Sequence, residues 1–468
     1  MPEIIIFLGA LVSIVSGAFF NNNKYNKVFI LSIITLIISF IFILYSDVDN
    51  NAVSKLFVNS YFTNLVKLFI ICISITILYV SNGYIKNNNL NLFEYPILLL
   101  FAVLGMLILV SSNDLLMLYI SIELQSLSLY VLVALNRDSS KSSEAALKYF
   151  ILGSIASAII LYGISMTYSV TGSTSYDFIR SFNFDENNIL LLSFGLILII
   201  SGLAFKLSAA PFHMWTPDVF EGAPSSVTTI LITLPKIVIL VALIKLLYVP
   251  FLYFQNLWQQ IILIIIIMSM AIGSIAALRQ ENIKRLFAYG TIANIGYLLI
   301  GIITLKSEGL ASSLLYLVIY SISSLGVFSF IMMLRKENSQ ILNLQGLAGF
   351  SQNYSIAAIC MAMLLLSMAG IPPFAGFFAK FYIFVSAIET GFYYIAILGV
   401  IFSVISAFYY LKIIKIMYMD VHDESSIFDV DTRMYLVLFF TSLLMLLFIF
   451  FAGDFIEFIN KMNILIND

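Results

Sequence analysis

The chain has 468 residues, of which 61% are hydrophobic and only 10% are charged, compared with about 25% charged residues in soluble domains. Its formal net charge of −2 shows no basic or acidic excess that would suit nucleic acid or a strongly charged substrate. Composition and charge therefore exclude an ordinary soluble enzyme and a nucleic-acid-binding protein, and they predict an all-α integral membrane protein.

Fourteen hydrophobic segments are long enough to cross a bilayer core of about 30 Å, which needs about 20 apolar residues in a helix. Numbered helix 1 to helix 14, they cover residues 4–20, 28–46, 64–82, 95–111, 113–135, 145–170, 189–209 with a short continuation, 225–248, 258–278, 286–304, 310–334, 354–389 with a break, 393–419 and 433–458. The first segment lacks the features of a signal or transit peptide, so we interpret it as a transmembrane helix.

The basic residues near the helix ends alternate in number from one connection to the next. Twelve follow odd-numbered helices, namely Lys24, Lys27, Lys86, Arg137, Lys141, Arg279, Lys284, Arg285, Arg335, Lys336, Lys412 and Lys415. Only Lys55, Arg180 and Lys306 follow even-numbered helices. Because cytoplasmic-type loops collect basic residues, this asymmetry supports fourteen helices with both termini on the outer side.

Two predicted helices contain helix breakers at their centre. Helix 7 runs into "FKLSAAPFHMWTPDVFEGAP", and helix 12 contains "AGIPPFAGFFAK". Broken helices at membrane depth are tolerated where they face protein or water, and a matched pair is typical of inverted-repeat transporters. The breaks lie five helices apart, which predicts two inverted five-helix repeats. The expected domains are three helices in residues 1–90, the repeats at 95–250 and 255–420, and a C-terminal helix in 430–468.

Glu123 and Lys206 lie far from the ends of their predicted spans. A charge at the bilayer centre costs about 3 kcal/mol or more unless it is paired or hydrated. We expect the two residues to form a pair, with the Lys206 ammonium meeting carbonyls and water freed by the break in helix 7. Separation of the pair would release a proton and approach would recapture it. The alternatives are a carboxylate satisfied by neighbouring hydroxyls and a lysine that extends to the surface.

Lys236 and Lys380 are also far from any predicted helix end. Lys236 follows Pro235, which frees a carbonyl one turn back and would open a hydrated spot in helix 8. Lys380 lies just beyond the break in helix 12. With Glu123 and Lys206, these residues predict a lateral polar axis along which protons could move.

Three further ionisable residues have weaker signals. Lys245 is close to the end of helix 8, so we expect it to extend to the surface. Lys148 is close enough to the basic end of helix 6 to do the same, yet deep enough to bridge Glu123 and Lys206. His213 is the only histidine within a span, and it could relay protons or be held by carbonyls near the prolines.

The sequence contains no recognisable cofactor or metal site. Cys72 and Cys360 lie in apolar runs without a second Cys or His at ligand spacing, which argues against a disulfide or a zinc site. His213 and His422 are placed so that they cannot both bind one haem. Glycine motifs for nucleotide binding are missing.

Several stretches resemble the antiporter-like membrane subunits of respiratory complex I, and within that family the subunit 2 or N type. They are "SIELQSLSLYVLVA", "SEAALKYFILGSIASAIILYGISMTYSVTGS", "GLAFKLSAAPFHMWTPDVFEGAPSSVT", "NIKRLFAYGTIANIGYLLIG" and "AGIPPFAGFFAKFYIF", all within residues 95–420. The subunit 4 type has a glutamate on helix 12 and the subunit 5 type a histidine on helix 8, so Lys380 and Lys236 favour subunit 2. The chain keeps three N-terminal helices that the shortened animal version lacks.

The resemblance implies a proton-translocating module with a role for each buried charge. Glu123 and Lys206 would be the coupled pair of the input half-channel, Lys236 the central connector, and Lys380 the group on the output side. Auxiliary positions are matched by Lys148, Lys245 and His213.

The resemblance also implies the surroundings of the chain. NADH, FMN, iron–sulfur clusters and ubiquinone would bind partner subunits and none of them this chain. The partners would be other membrane-arm subunits of complex I, including sister antiporter-like subunits, together with membrane lipids. The complete assembly would be a proton-translocating NADH:ubiquinone reductase.

The sequence also allows us to predict the cellular location and to name two alternative functions. Richness in Asn, Ile, Phe and Tyr, with no transit peptide, favours an organelle-encoded protein of the mitochondrial inner membrane, and a bacterial plasma membrane is the alternative. The other functions are an Mrp-type antiporter exchanging Na⁺ or K⁺ for protons, and a structural membrane scaffold. A cation site would need several oxygen ligands at the breaks, where this chain has lysines.

Overall fold

A computed structural model describes residues 2–19, 23–46, 56–183, 186–336, 339–420 and 431–453. The long helices are α1 Pro2–Phe19, α2 Lys24–Tyr45, α3 Tyr61–Asn87, α4 Glu94–Ser111, α5 Leu115–Val133, α6 Ser140–Thr171, α7 Glu186–Leu207, α8 Ser225–Tyr248, α9 Gln255–Ala277, α10 Ile283–Ile303, α11 Ser307–Met333, α12a Ser355–Ala369, α12b Ala375–Glu389, α13 Tyr393–Met419 and α14 Thr432–Leu447. Short α-helices are Tyr176–Ser181, Trp215–Gly222 and Phe350–Asn353, and 3₁₀ turns are Leu252–Phe254, Leu344–Leu347 and Phe448–Phe450. Strands β1 Arg335–Lys336 and β2 Ser339–Gln340 pair in antiparallel fashion.

The predicted helical membrane protein is confirmed. Thirteen helices in the described part of the chain are long and apolar enough to cross a membrane. The halves α12a and α12b together make the fourteenth span, because each alone has 15 residues. Lys55, His422 and the predicted end of helix 14 at residue 458 lie outside the described residues.

Side-chain caps explain where several helices begin. The Asp114 carboxylate accepts hydrogen bonds from the backbone N–H groups of Leu116 and Met117, which fixes the start of α5. Asn282 does the same for the N–H groups of Lys284 and Arg285 at the start of α10. The two caps also form isolated bridges with residues later in the chain, Asp114 with Ser175 and Asn282 with Asn343, at the same sequence separation. The predicted boundaries missed these caps by a few residues.

Two compact units divide the chain, and each has a central buried helix. The first unit comprises residues 1–207 and 222–259, and its helix α8 is buried along its whole length. The second comprises residues 208–221 and 260–467. In its helix α10, 94% of the most apolar stretch of residues is buried. The repeat boundaries at 95–250 and 255–420 remain a prediction.

Both predicted helix breaks are present. Helix α7 ends at Leu207, the next residue Ser208 has a left-handed backbone (φ 66°), and a short helix begins at Trp215. Helix α12a ends at Ala369, followed by Gly370 with φ 83°, and α12b begins at Ala375. Each break contains a cis proline followed by phenylalanine, Pro211 in the first and Pro373 in the second. Each break also ends a helix whose last carbonyls need hydrogen-bond donors.

Candidate functional site

Among the described residues six lysine side chains are buried, namely Lys67, Lys284 and the four that the sequence singled out. Lys236 is fully buried, and Lys206, Lys245 and Lys380 are 4 to 5% exposed. Removing an ammonium group from water costs several kcal/mol unless hydrogen bonds and opposite charge compensate. The hydrogen-bond partners of each lysine therefore indicate what the site is built to do.

Lys236 binds the end of the broken helix α7. Its Nζ donates to the carbonyl oxygens of Leu207 at 2.9 Å and Lys206 at 3.3 Å. These carbonyls belong to the last turn of α7, where the helix dipole is negative and the helix supplies no donor. The sequence predicted that Pro235 would free a carbonyl of helix 8 and open a hydrated spot there. In the structure α8 is continuous through Pro235, and the acceptors for Lys236 come from α7.

Lys380 occupies a corresponding site in the second unit. Its Nζ donates to the carbonyl oxygen of Ala369, the last residue of α12a, at 3.1 Å, and to Ser403 Oγ at 3.0 Å. The ammonium also lies 5.1 Å from the centre of the Tyr297 ring, within cation–π range. Gly370 matters here because a Cβ at this position would lie 2.9 Å from Lys380 Cδ.

Lys245 corrects a sequence-based expectation. It does not extend to the surface but is buried, and its Nζ donates to the carbonyl oxygens of Val110 and Ser112, each at 2.9 Å. These two residues flank the C-terminus of α4, so the freed carbonyls of that helix attract the ammonium more strongly than distant solvent does. Position near a helix end in the sequence does not reveal such an acceptor.

Lys206 is held by hydroxyl groups instead of carbonyls. Its Nζ donates to Ser126 Oγ at 2.9 Å and to Tyr130 Oη at 3.2 Å, and it lies 5.7 Å from the Tyr130 ring centre. The expectation that this ammonium meets the carbonyls freed by the break was therefore wrong. Lys236 occupies those carbonyls, and Lys206 turns towards α5.

Glu123 lies near Lys206 but does not touch it. The carboxylate interacts electrostatically with Lys206. The ion pairs found among the described residues do not include one between Glu123 and Lys206. Glu123 Oε1 is buried and has no hydrogen-bond partner in the described part of the chain. The structure therefore places the predicted pair together in the first unit in a separated arrangement, with the hydroxyls of Ser126 and Tyr130 beside the ammonium.

The remaining predicted residues lie elsewhere. Lys148 forms an ion pair with Glu144 at 2.8 Å, and its side chain is 43% exposed. Neither Glu123 nor Lys206 is among its described partners, so the structure does not support the predicted bridge. His213 is buried at the break after α7, and its Nδ1 has no hydrogen-bond partner within the described ranges.

Two ion clusters were not predicted from the sequence. Lys67 is 1% exposed and donates to Glu3 Oε1 at 2.7 Å and to Asn59 Oδ1 at 3.1 Å. Arg285 donates to Asp218 at 2.7 Å and to Glu221 at 3.0 Å. Nothing in the sequence around Lys67 points to Glu3, which lies 64 residues away. Asp218 and Glu221 are three residues apart on one short helix, and this spacing was a usable signal for the Arg285 cluster.

A polar cluster between α10 and α11 was also missed. Tyr316 Oη donates to Asn294 Oδ1 at 2.8 Å, and Tyr320 Oη donates to Thr291 Oγ1 at 2.9 Å. These residues belong to the second unit, where Asn294, Tyr316 and Tyr320 line a small cavity together with Gly376 from α12b. The tyrosines are four residues apart on one helix face, a pattern that could have indicated the cluster.

The described residues include no group of three or more His, Cys, Asp or Glu side chains that could hold a metal ion. Cys72 and Cys360 are free thiols, the first exposed and the second buried. The ionisable and hydrogen-bonding side chains that the described site brings together are lysines, a glutamate and hydroxyl groups.

Comparison with known proteins gives consistent results. Residues 112–406 match the family model described as the transmembrane part of NADH:quinone oxidoreductase and Mrp antiporters. NADH-quinone oxidoreductase subunit N of Pelagibacter ubique is 41% identical over 99% of this chain and 98% of its own length. Subunit N 1 of Rhizobium meliloti is 43% identical over 90% of this chain and 88% of its own length.

Solved structures share the fold. A chain of respiratory complex I from Thermus thermophilus superimposes with a TM-score of 0.83 at 25% identity, covering 98% of this chain and 99% of that one. A chain of the Mrp complex from Dietzia has a TM-score of 0.88 at 18% identity, covering 98% and 96%. The second likeness shows the fold alone, because antiporter and oxidoreductase subunits share it. The bacterial relatives, by contrast, match along nearly the whole sequence at about 40% identity, and the chain therefore belongs to the NADH-quinone oxidoreductase subunit N family.

Proposed function

We propose that this chain is the proton-translocating, antiporter-like membrane subunit of an NADH-quinone oxidoreductase, with Glu123, Lys206, Lys236 and Lys380 as its proton-transfer groups. The observation that carries the proposal is the junction at the end of α7. There, the Lys236 ammonium binds the main-chain carbonyl of Lys206 itself, while the Lys206 side chain lies near the Glu123 carboxylate.

The geometry of the first unit allows charges to influence one another. A proton taken up by Glu123 would remove the negative charge that favours the Lys206 ammonium, so Lys206 would release its proton more readily. A neutral Lys206 would in turn lower the repulsion felt by the ammonium of Lys236. Water would carry protons over the remaining distance, since the breaks supply free polar backbone.

Lys380 has the corresponding role in the second unit. Its ammonium is stabilised by the Ala369 carbonyl, the Ser403 hydroxyl and the Tyr297 ring, and no carboxylate is among its described hydrogen-bond partners. We assign it to the output side, as the family resemblance implies. Lys245, Lys148 and His213 are proposed as auxiliary groups.

A cation antiporter is less well supported by the same contacts. A sodium or potassium site needs several oxygen ligands. The carbonyls of Leu207 and Ala369 at the two breaks already accept hydrogen bonds from lysine ammonium groups, which would repel a second cation. A structural scaffold would need no ionisable groups at these depths, because each is costly to bury.

The assembly and its location are proposed from the relatives. Other membrane-arm subunits and sister antiporter-like subunits would surround the chain within lipid, and NADH, FMN, iron–sulfur clusters and the quinone would bind partner subunits. The chain would be a subunit of the proton-translocating enzyme without a redox centre of its own. The relatives named above come from bacteria, which favours a bacterial plasma membrane over the mitochondrial inner membrane expected from composition.

The test uses the complete oxidoreductase in native membranes. Lys206→Met and Lys236→Met should lower the protons pumped per NADH oxidised by about tenfold or more, since a thioether cannot carry a proton. Lys206→Arg keeps a charge for assembly but cannot release its proton, so it should pump equally poorly. Lys306→Met is the matched control because Lys306 is exposed.

Two results would reject the proposal. Normal pumping by assembled Lys206→Met and Lys236→Met complexes would reject the proton-transfer groups and favour the scaffold function. Purification of the chain in mild detergent as a lone homo-oligomer, without an NADH-oxidising assembly, would reject membership of the larger enzyme.

A further inference from the structure

The hydroxyl groups that hold Lys206 share one helix face with Glu123. Ser126 and Tyr130 follow Glu123 on α5 by three and seven residues, which is the spacing of neighbours on a helix surface. Lys206 Nζ donates to both hydroxyls, at 2.9 and 3.2 Å. Helix α5 therefore presents one carboxylate and two hydroxyls to one ammonium.

Ser126 differs from the other serines of α5 in the direction of its hydroxyl. Ser121 donates to the carbonyls of Met117 and Leu118, and Ser128 donates to the carbonyl of Leu124. Within the described residues, the Ser126 hydroxyl donates to no main-chain carbonyl. Its oxygen accepts from the Lys206 ammonium, so its own hydrogen is directed to a second acceptor, and the Tyr130 hydroxyl and the Glu123 carboxylate on the same helix face are the two candidates.

An acceptor is available on the same face. Glu123 Oε1 is buried and, within the described chain, accepts no hydrogen bond. A buried carboxylate oxygen without a donor is destabilised by the loss of its hydrogen bonds to water, so a donor should reach it. The Ser126 hydrogen can supply it directly or through one water molecule.

We propose that Ser126 relays the proton between Lys206 and Glu123 and that Tyr130 positions the ammonium for the transfer, an inference that rests on the proposed function. In the step, an Nζ–H bond of Lys206 breaks as a bond to Ser126 Oγ forms, while the original Oγ–H bond breaks and the carboxylate gains that proton. Lys206 ends as a neutral amine, Glu123 as a neutral acid and Ser126 unchanged with its hydroxyl reversed. No electrons move, and a bridging water would gain and lose one proton.

Tyr130 is fixed for its positioning role by helix α6. Its ring packs edge-on against Tyr149 at 4.7 Å and Phe150 at 5.7 Å between ring centres. Gly153 leaves the space for its hydroxyl, because a Cβ at that position would overlap Tyr130 Oη. The position of the tyrosine oxygen is therefore fixed by packing against α6 and does not depend on Lys206. This oxygen sets where the ammonium lies relative to Ser126.

The test compares serine variants within the complete oxidoreductase. Ser126→Ala should slow proton pumping roughly tenfold, because a relay group is removed from a buried path. Ser126→Thr should pump within about twofold of the unmodified enzyme, since the hydroxyl is restored. Ser128→Ala is the matched control on the same helix, because its hydroxyl only binds its own backbone.

Tyr130→Phe tests the positioning role by a different readout. It keeps the ring but removes one acceptor from the Lys206 ammonium, so the pH profile of pumping should move to lower pH. An unchanged profile would overturn the positioning role.

The outcomes separate the relay from the function on which it rests. If Ser126→Ala pumps as well as Ser128→Ala while Lys206→Met does not pump, the relay is wrong and the proposed function stands. Equal loss in Ser126→Ala and Ser126→Thr would also overturn the relay, since the hydroxyl alone would not matter. Normal pumping by Lys206→Met would reject the proposed function together with the relay.

Discussion

The three lysines at the two helix breaks are held in two different ways. Lys236 in the first unit and Lys380 in the second each donate to a carbonyl at the C-terminus of a helix that ends at one of the two breaks. Lys206 donates instead to the hydroxyls of Ser126 and Tyr130 and lies near a carboxylate.

The difference lies in what the acceptor can do with a proton. A main-chain carbonyl stabilises an ammonium through the helix dipole but does not take up its proton at ordinary pH. A carboxylate can be protonated, and a hydroxyl can pass a proton on. Under the proposed function, the carbonyl-bound lysines would hold a positive charge until water removes the proton, whereas Lys206 would pass its proton to an acceptor within its own unit.

The largest effect on pumping is expected for variants of Lys380. An arginine at this position keeps the positive charge but cannot release a proton, so the two properties can be tested separately. Lys380→Arg can still donate to the Ala369 carbonyl, so the complex should assemble, but pumping should fall by about a hundredfold because arginine does not deprotonate. Lys380→Met should lose pumping and also assemble less, since it leaves the carbonyl without a donor. Protons pumped per NADH and the yield of complex measure the two effects. Normal pumping by the arginine variant would mean that Lys380 only holds charge.

A smaller effect is expected from the geometry of the breaks. A Cβ at Gly376 would overlap the carbonyl oxygen of Ser367, which is backbone and cannot move aside. Gly376→Ala should therefore destabilise the second unit by about 1–3 kcal/mol, seen as a lower thermal inactivation temperature. The matched position after the first Pro–Phe pair is Met214, which is 74% exposed, and Met214→Ala should change little. Equal stability of the two variants would contradict the tight packing of the second break.

The smallest effect is expected for charges outside both kinds of buried site. Glu144→Gln removes the ion pair between Glu144 and Lys148, whose side chains are 65% and 43% exposed, respectively. An exposed pair one helical turn apart contributes about 0.3–0.5 kcal/mol, so stability should fall by that amount. Thermal inactivation and pumping should be measured together, and a loss of pumping of about tenfold would give Lys148 a principal place in the proton path instead of the auxiliary one proposed.

The sequence predicted the helices and their breaks well because their signals are local. A run of apolar residues long enough to cross the bilayer, and prolines within such a run, need no information about neighbours. The positions of Glu123, Lys206, Lys236 and Lys380 were predictable for the same reason, since a charge far from any helix end is costly wherever the neighbours lie.

The partners of these charges could not be predicted because they depend on packing between distant segments. Nothing in the sequence around Lys236 shows that it binds the end of α7, or that Lys245 binds the end of α4. Tyr130 was overlooked because a single tyrosine in an apolar helix resembles many others. Its role depends on Gly153, which is on another helix.

The ion pair between Lys67 and Glu3 lies wholly within the three N-terminal helices. Its positive and negative charges cancel inside that segment, so removing residues 1–90 would take away both members together. The rest of the chain would be left without an orphaned buried charge from this pair.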